Sequence, residues 1–145
     1  MDKSFLTPYL YIAFVFGLLD LADSLISLFD FPAPPFRIVM IFIAAAFFFF
    51  NLLAISFFYH HGVNKQAYIL PVYHLLVYAL FGIVGFIVTY FNLLSRDVVI
   101  ILVITGILSA LFEITLSLLL LKNLVFKAAP RAKLHIAHSV GHKFV

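Results

Sequence analysis

The chain has 145 residues, of which 66% are hydrophobic and only 10% charged, with a mean hydropathy of +1.20. A soluble domain is about 25% charged, so this chain lacks the polar side chains to cover a water-facing surface. With no cysteine and a formal net charge of +3, it has no disulfide, thiolate metal site or redox pair, and its basic residues read as membrane topology before nucleic-acid binding.

Four apolar runs predict four membrane-spanning helices, each near the ~20 residues that cross a bilayer. The first covers residues 5–29 and stops at Phe31-Pro32-Ala33-Pro34-Pro35, where proline opposes a continuing helix. A leading Lys3 followed by an apolar run resembles a signal peptide. The run is too long for one, carries two aspartates and lacks a small-residue cleavage site, so a retained first span is expected. The second span covers residues 37–59, including the run Phe47-Phe48-Phe49-Phe50, and closes at His60-His61-Gly62. The third covers residues 68–94 and ends at Ser95-Arg96-Asp97; the fourth covers residues 98–121, with room to continue to Phe126. Short connections make sequence neighbours antiparallel, and the predicted fold is an all-α four-span bundle followed by a basic tail at residues 129–145. Spans one and two do not repeat in three and four, so an internally duplicated transporter is not supported.

Lys3, Lys65, Lys122, Lys127, Arg131, Lys133 and Lys143 fall on one side of this arrangement, and Arg37 and Arg96 on the other. The imbalance predicts a multi-pass protein with both termini in the cytoplasm or its organellar equivalent.

At 100° per residue each span gathers its small and polar residues on one face. Span one aligns Ala13, Gly17, Asp20, Asp23, Ser24 and Ser27. Span four aligns Gly106, Ser109, Ala110, Glu113 and Ser117. Span three aligns Pro71, His74, Tyr78, Gly85, Thr89 and Asn92, with Gly82 at the margin; in span two Asn51 shares a face with Ala44, Phe47 and Phe58. Small residues let helices approach closely in lipid, so Gly17, Gly82, Gly85, Gly106 and Ala110 are expected at helix contacts.

Asp20, Asp23, Asn51, His74 and Glu113 form the intramembrane polar set. A charge near the midplane costs at least ~2.5–3.5 kcal/mol, and no Lys or Arg lies in a span centre, so each acid needs a partner or a proton. The depth order predicted from the span ends is Asp23, Asp20, then Glu113 with Asn51, then His74. Three roles fit: a proton or cation path, internal hydrogen bonds that fasten the helices, or contacts with basic residues of another subunit.

Six histidines raise the question of haem, through His74 with His60 or His61. Two facing imidazoles are required, and the helical angle turns His60 away from Asn51. In the tail, Arg131, His135, His138 and His142 share one helical face; with Lys127 and Lys133 they are expected at lipid headgroups, as a cationic anchor or a pH-responsive surface helix. A metal-binding His stripe there lacks a carboxylate or cysteine partner. Tyr9, Tyr11, Tyr59, Tyr68, Tyr73 and Tyr90 are expected in interfacial belts, and the Phe47–Phe50 run as lipid-facing bulk and packing and not a ligand cage.

No phosphate loop, metal-binding His-Glu helix, nucleophile elbow or paired-Cys motif occurs. The expected role is a non-enzymatic subunit or scaffold of a membrane complex, or a homo-oligomer, with lipid and membrane helices as partners and neither cofactor nor nucleic acid. The alternative is a small oligomeric transporter or channel component moving protons or ions through Asp20, Asp23, His74 and Glu113.

Overall fold

The computed structural model describes residues 5–29 and 34–126 of the chain. It is all-helical: α1 spans Leu6–Leu28, α2 Pro34–His60, α3 Ile69–Tyr90 and α4 Arg96–Leu120, with a 3-10 turn Lys65–Tyr68 before α3 and a π-helical turn Leu121–Phe126 after α4. All four are long and apolar enough to cross a membrane, and their outer faces expose Ile41, Phe42, Leu53, Ile101 and Leu108. Such helices satisfy their backbone groups internally, as hydrocarbon demands. The basic tail, with Lys127, Arg131, Lys133, His135, His138 and His142, lies outside the described residues, as does Lys3.

Local chemistry sets the ends. Pro34 and Pro35 do not only stop the first span; they open α2, because proline's missing N–H is harmless in a first turn. Gly62 takes φ +57° while Val63 N–H bonds Phe58 O at 3.1 Å, a helix stop closed by a left-handed residue. Asn64 then caps the 3-10 turn by accepting from Gln66 N–H at 3.0 Å. α3 ends at Tyr90, four residues short of the predicted 94, because Asn92 adopts φ +56°. Asn92 N–H bonds Thr89 O at 3.2 Å and Leu93 N–H bonds Val88 O at 2.9 Å, so Asn92 is a stop residue and not part of the polar stripe. Ser95 caps α4 through Val98 N–H at 3.3 Å, with Asp97 in the first turn, where a negative charge suits the helix dipole.

The most extensive pairing is between α1 and α4, followed by α2 with α3; α3 and α4, though consecutive, touch little. Glycine sets the α1–α4 distance. A Cβ on Gly17 would stand 3.0 Å from Ile114 Cγ1 and 3.3 Å from Glu113 Cγ and Cδ, and one on Gly106 would stand 2.9 Å from Ser24 Oγ. The residue numbers of Gly17 with Glu113 and of Gly106 with Ser24 both sum to 130, as an antiparallel register requires. That register sets Ala13 opposite Ser117 and Asp20 opposite Ala110, and Ala13, Ala110 and Ser117 are all fully buried.

The core is asymmetric along the axis. At the end holding the termini and the α2–α3 connection, Leu6, Leu10, Phe58, Leu70, Leu121 and Leu124 form a closed apolar plug. Toward the α1–α2 and α3–α4 connections the bundle opens. Gly82 and Gly85 are exposed there, with open space where a Cβ would stand, so the helix contacts expected of them are absent among the described residues. Van der Waals packing is what holds helices together in lipid, and here it is concentrated in the terminal half.

Candidate functional site

His74 and Glu113 meet in the centre of the bundle. His74 Nε2 lies 2.7 Å from Glu113 Oε1, and each side chain is 3% exposed. The sequence placed His74 deeper than Glu113; the structure puts them at one level. Helix ends do not coincide at the bundle faces, α4 running on through the π turn to Phe126, so depths counted from span ends do not carry over from α3 to α4. Although close, the two atoms miss hydrogen-bond geometry, and His74 Nδ1 also has no hydrogen-bond partner. It is a close contact of two ionisable side chains whose angle is poor.

Aromatic rings enclose His74. Phe47 meets it edge-on with centroids 4.8 Å apart and Phe16 at 6.4 Å. Those two phenylalanines stack on each other at 4.1 Å. Phe47 is 4% exposed, so the Phe47–Phe50 run is not uniformly lipid-facing: Phe47 turns inward while Phe49 stays outside. Helical period separates them, since Phe47 shares a face with Asn51, Ala54 and Phe58 and Phe49 does not. On the other side Gly17 gives Glu113 its space, because any Cβ there would press on the carboxylate stem.

The hydrogen bonds of Asn51 go to α1 and to its own helix, not to Glu113. Tyr9, about two turns from Gly17 along α1, donates its hydroxyl to Asn51 Oδ1 at 2.6 Å, and Asn51 Nδ2 donates to Phe47 O at 2.7 Å. Both residues are fully buried. Tyr9 is therefore a core residue and not part of an interfacial belt. A polar group in hydrocarbon seeks a partner, and the Tyr9–Asn51 bond ties α1 to α2. Tyr73 departs from the belt too: its hydroxyl bonds Ser109 Oγ at 2.7 Å and donates to Ser109 O at 3.1 Å, joining α3 to α4. Tyr68 packs against the core beside Phe58. Tyr11, Tyr59 and Tyr90 are exposed.

Asp20 and Asp23 line a cleft of about 320 Å³ with Ser24, Ser27, Tyr78 and Gly106. It lies between α1, α3 and α4 in the open half of the bundle. Asp20 is within electrostatic reach of both Asp23 and Glu113. The cleft and the buried pair are adjacent in the helices, Asp20 following Gly17 by three residues and Tyr78 following His74 by four. Four of the five polar candidates thus form one line, and Asn51 belongs to a separate bond.

No protein-family model, curated protein or solved structure matches this chain. The chemistry must be read from the residues alone. Among the described residues no group of three or more His, Cys, Asp or Glu is placed to hold a metal ion. His60 and His61 are exposed, with His61 stacked on Phe57 at 3.9 Å and its Nδ1 2.9 Å from Phe57 O. His74 is buried against Glu113, so the structure does not bring these imidazoles together. Sequence reasoning missed Tyr9, Tyr73, Phe16 and Phe47 as site residues. The available signal for Tyr9 was its position one turn before Ala13, the first residue of the α1 stripe.

Proposed function

We propose that this chain is a non-enzymatic subunit or scaffold of a membrane complex, with both termini cytoplasmic and the basic tail against lipid headgroups. One observation carries this reading. The stripe on α3 that buries Pro71 and His74 continues at the same helical angle to Gly82 and Gly85, which face open space. One face of a helix is packed over its first half and bare over its second. Small residues facing lipid gain nothing from their size, whereas against another helix they permit close approach. A helix from a partner subunit or a second copy of this chain fits that bare half.

The test is purification of the full-length protein in a gentle detergent, followed by native mass spectrometry. Stoichiometric foreign subunits or a defined oligomer are expected, and Gly85→Leu is expected to dissociate them while leaving helical content unchanged. A strictly monomeric protein would end this reading. So would an assembly indifferent to Gly85→Leu and to Gly82→Leu.

A further inference from the structure

Three buried polar atoms surround the His74–Glu113 contact without protein partners: His74 Nδ1, Tyr78 Oη and Ser117 Oγ. His74 and Ser117 are 2% and 0% exposed. A polar group buried without a partner costs about 1–3 kcal/mol, so three such groups around one ion-pair contact demand an explanation. The apolar plug closes the bundle on the terminal side, and the acid-lined cleft opens it on the other.

We infer that His74 and Glu113 form a proton-binding pair which exchanges its proton through the Asp20–Asp23 cleft, at the end of the bundle away from the termini. The pair without the proton is a neutral imidazole beside a carboxylate, with net charge −1. Binding one proton between Nε2 and Oε1 makes it net neutral, and releasing the proton to the cleft restores the negative charge. Water held by Tyr78 Oη and the cleft serines bridges the turn of helix between Asp20 and Glu113.

Four features single out the proton as ligand. The contact has two ionisable members, and among the described residues no third ligand stands ready for a metal ion. From α1 the titratable groups within electrostatic reach of the pair are Tyr9 and Asp20, with Asp23 behind Asp20; from α3 they are Tyr73 and Tyr78. α2 presents the ring of Phe47, which carries no charge. The described Lys and Arg side chains, Lys65, Arg96 and Lys122, are exposed at helix ends, so among the described side chains no fixed cation pins the pair in one state. The plug makes the site one-sided: it loads and unloads from the cleft and does not form an open pore. This inference is independent of the subunit reading, since the pair is complete within one chain.

The test uses the full-length protein in nanodiscs, with 15N-labelled histidine, titrated by solid-state NMR. The His74 ring signal, assigned by its loss in His74→Phe, is expected to pass between its neutral and protonated forms in a single step as the sample is titrated. Asp20→Asn removes a neighbouring charge without touching the pair, and is expected to move that midpoint by about half a pH unit or more, roughly threefold in proton affinity. Glu113→Gln is expected to abolish the coupled step; should that variant fail to fold, Asp20→Asn decides alone. A His74 ring fixed in one state across the titration overturns the inference. A midpoint identical in wild type and Asp20→Asn overturns it equally.

Discussion

Replacing Tyr9 by Phe removes one oxygen and little else, because the ring stays between Phe50 and Phe58, each with its centroid 5.5 Å away. The loss is one hydrogen bond of 2.6 Å to Asn51 Oδ1, at a place where both side chains are fully buried. In a soluble core, an acceptor stranded this way costs about 1–3 kcal/mol. In membranes the helices also find partners before they associate, and cycles on such bonds average ~0.6 kcal/mol with a maximum near ~1.7. Full burial and the short distance place this bond at the upper end, about 1–1.7 kcal/mol, or roughly five- to twentyfold in the folding equilibrium. Asn51 Nδ2 keeps its bond to Phe47 O at 2.7 Å, so only one polar atom is orphaned. Asn51→Leu orphans the Tyr9 hydroxyl by a similar amount, whereas Tyr9→Phe with Asn51→Leu leaves no unpaired group. The double variant should then be about 1 kcal/mol more stable than the two single losses added together. SDS titration in mixed micelles, followed by circular dichroism, measures all four corners. A coupling below about 0.3 kcal/mol would show that the bond does not fasten α1 to α2.

Other expectations follow from the same contacts. Gly17→Ala puts a methyl 3.0 Å from Ile114 Cγ1 and 3.3 Å from the Glu113 stem, so α1 and α4 must part slightly, at about 1–3 kcal/mol in the same titration. Gly106→Ala meets only the hydroxyl of Ser24 at 2.9 Å, which can rotate away, and should cost less than about 1 kcal/mol; equal losses at the two sites would contradict the packing. Gly62→Ala has open space around its Cβ but φ +57°, and should lower stability by about 1 kcal/mol through the backbone alone. Asn92→Gly, at φ +56°, should be neutral or stabilising on thermal unfolding, and Asn92→Val destabilising by about 1–2 kcal/mol. Glu113→Ala leaves the His74 ring buried with no carboxylate beside it and should cost about 1–3 kcal/mol, part of it recovered when His74→Phe is added; a single variant as stable as wild type would mean that the pair contributes nothing to the fold.

Hydrocarbon is a simple selector, and the sequence alone determined what it selects. Runs of Leu, Ile, Val and Phe can satisfy their backbone groups there only as helices, which fixes the number of spans and most of their ends. The 3.6-residue period likewise places Gly17, Asp20, Ser24, Gly106, Ala110 and Glu113 on inward faces. Small residues in lipid have few other uses, and the α1–α4 contact is built from them. Tertiary structure decided the rest. Depth counted from span ends accumulates small errors along each helix and does not transfer between helices whose ends do not coincide, so only the packing showed Glu113 level with His74. Tyrosine suits both an interface and a buried hydrogen bond; only the neighbour across the bundle, Asn51 for Tyr9 and Ser109 for Tyr73, separates the two. Whether a glycine stripe is filled or bare also depends on how the helices diverge. No residue of α3 encodes that its face meets α4 beside His74 and meets nothing at Gly85, because the divergence is set by the glycine contacts that hold α4 to α1.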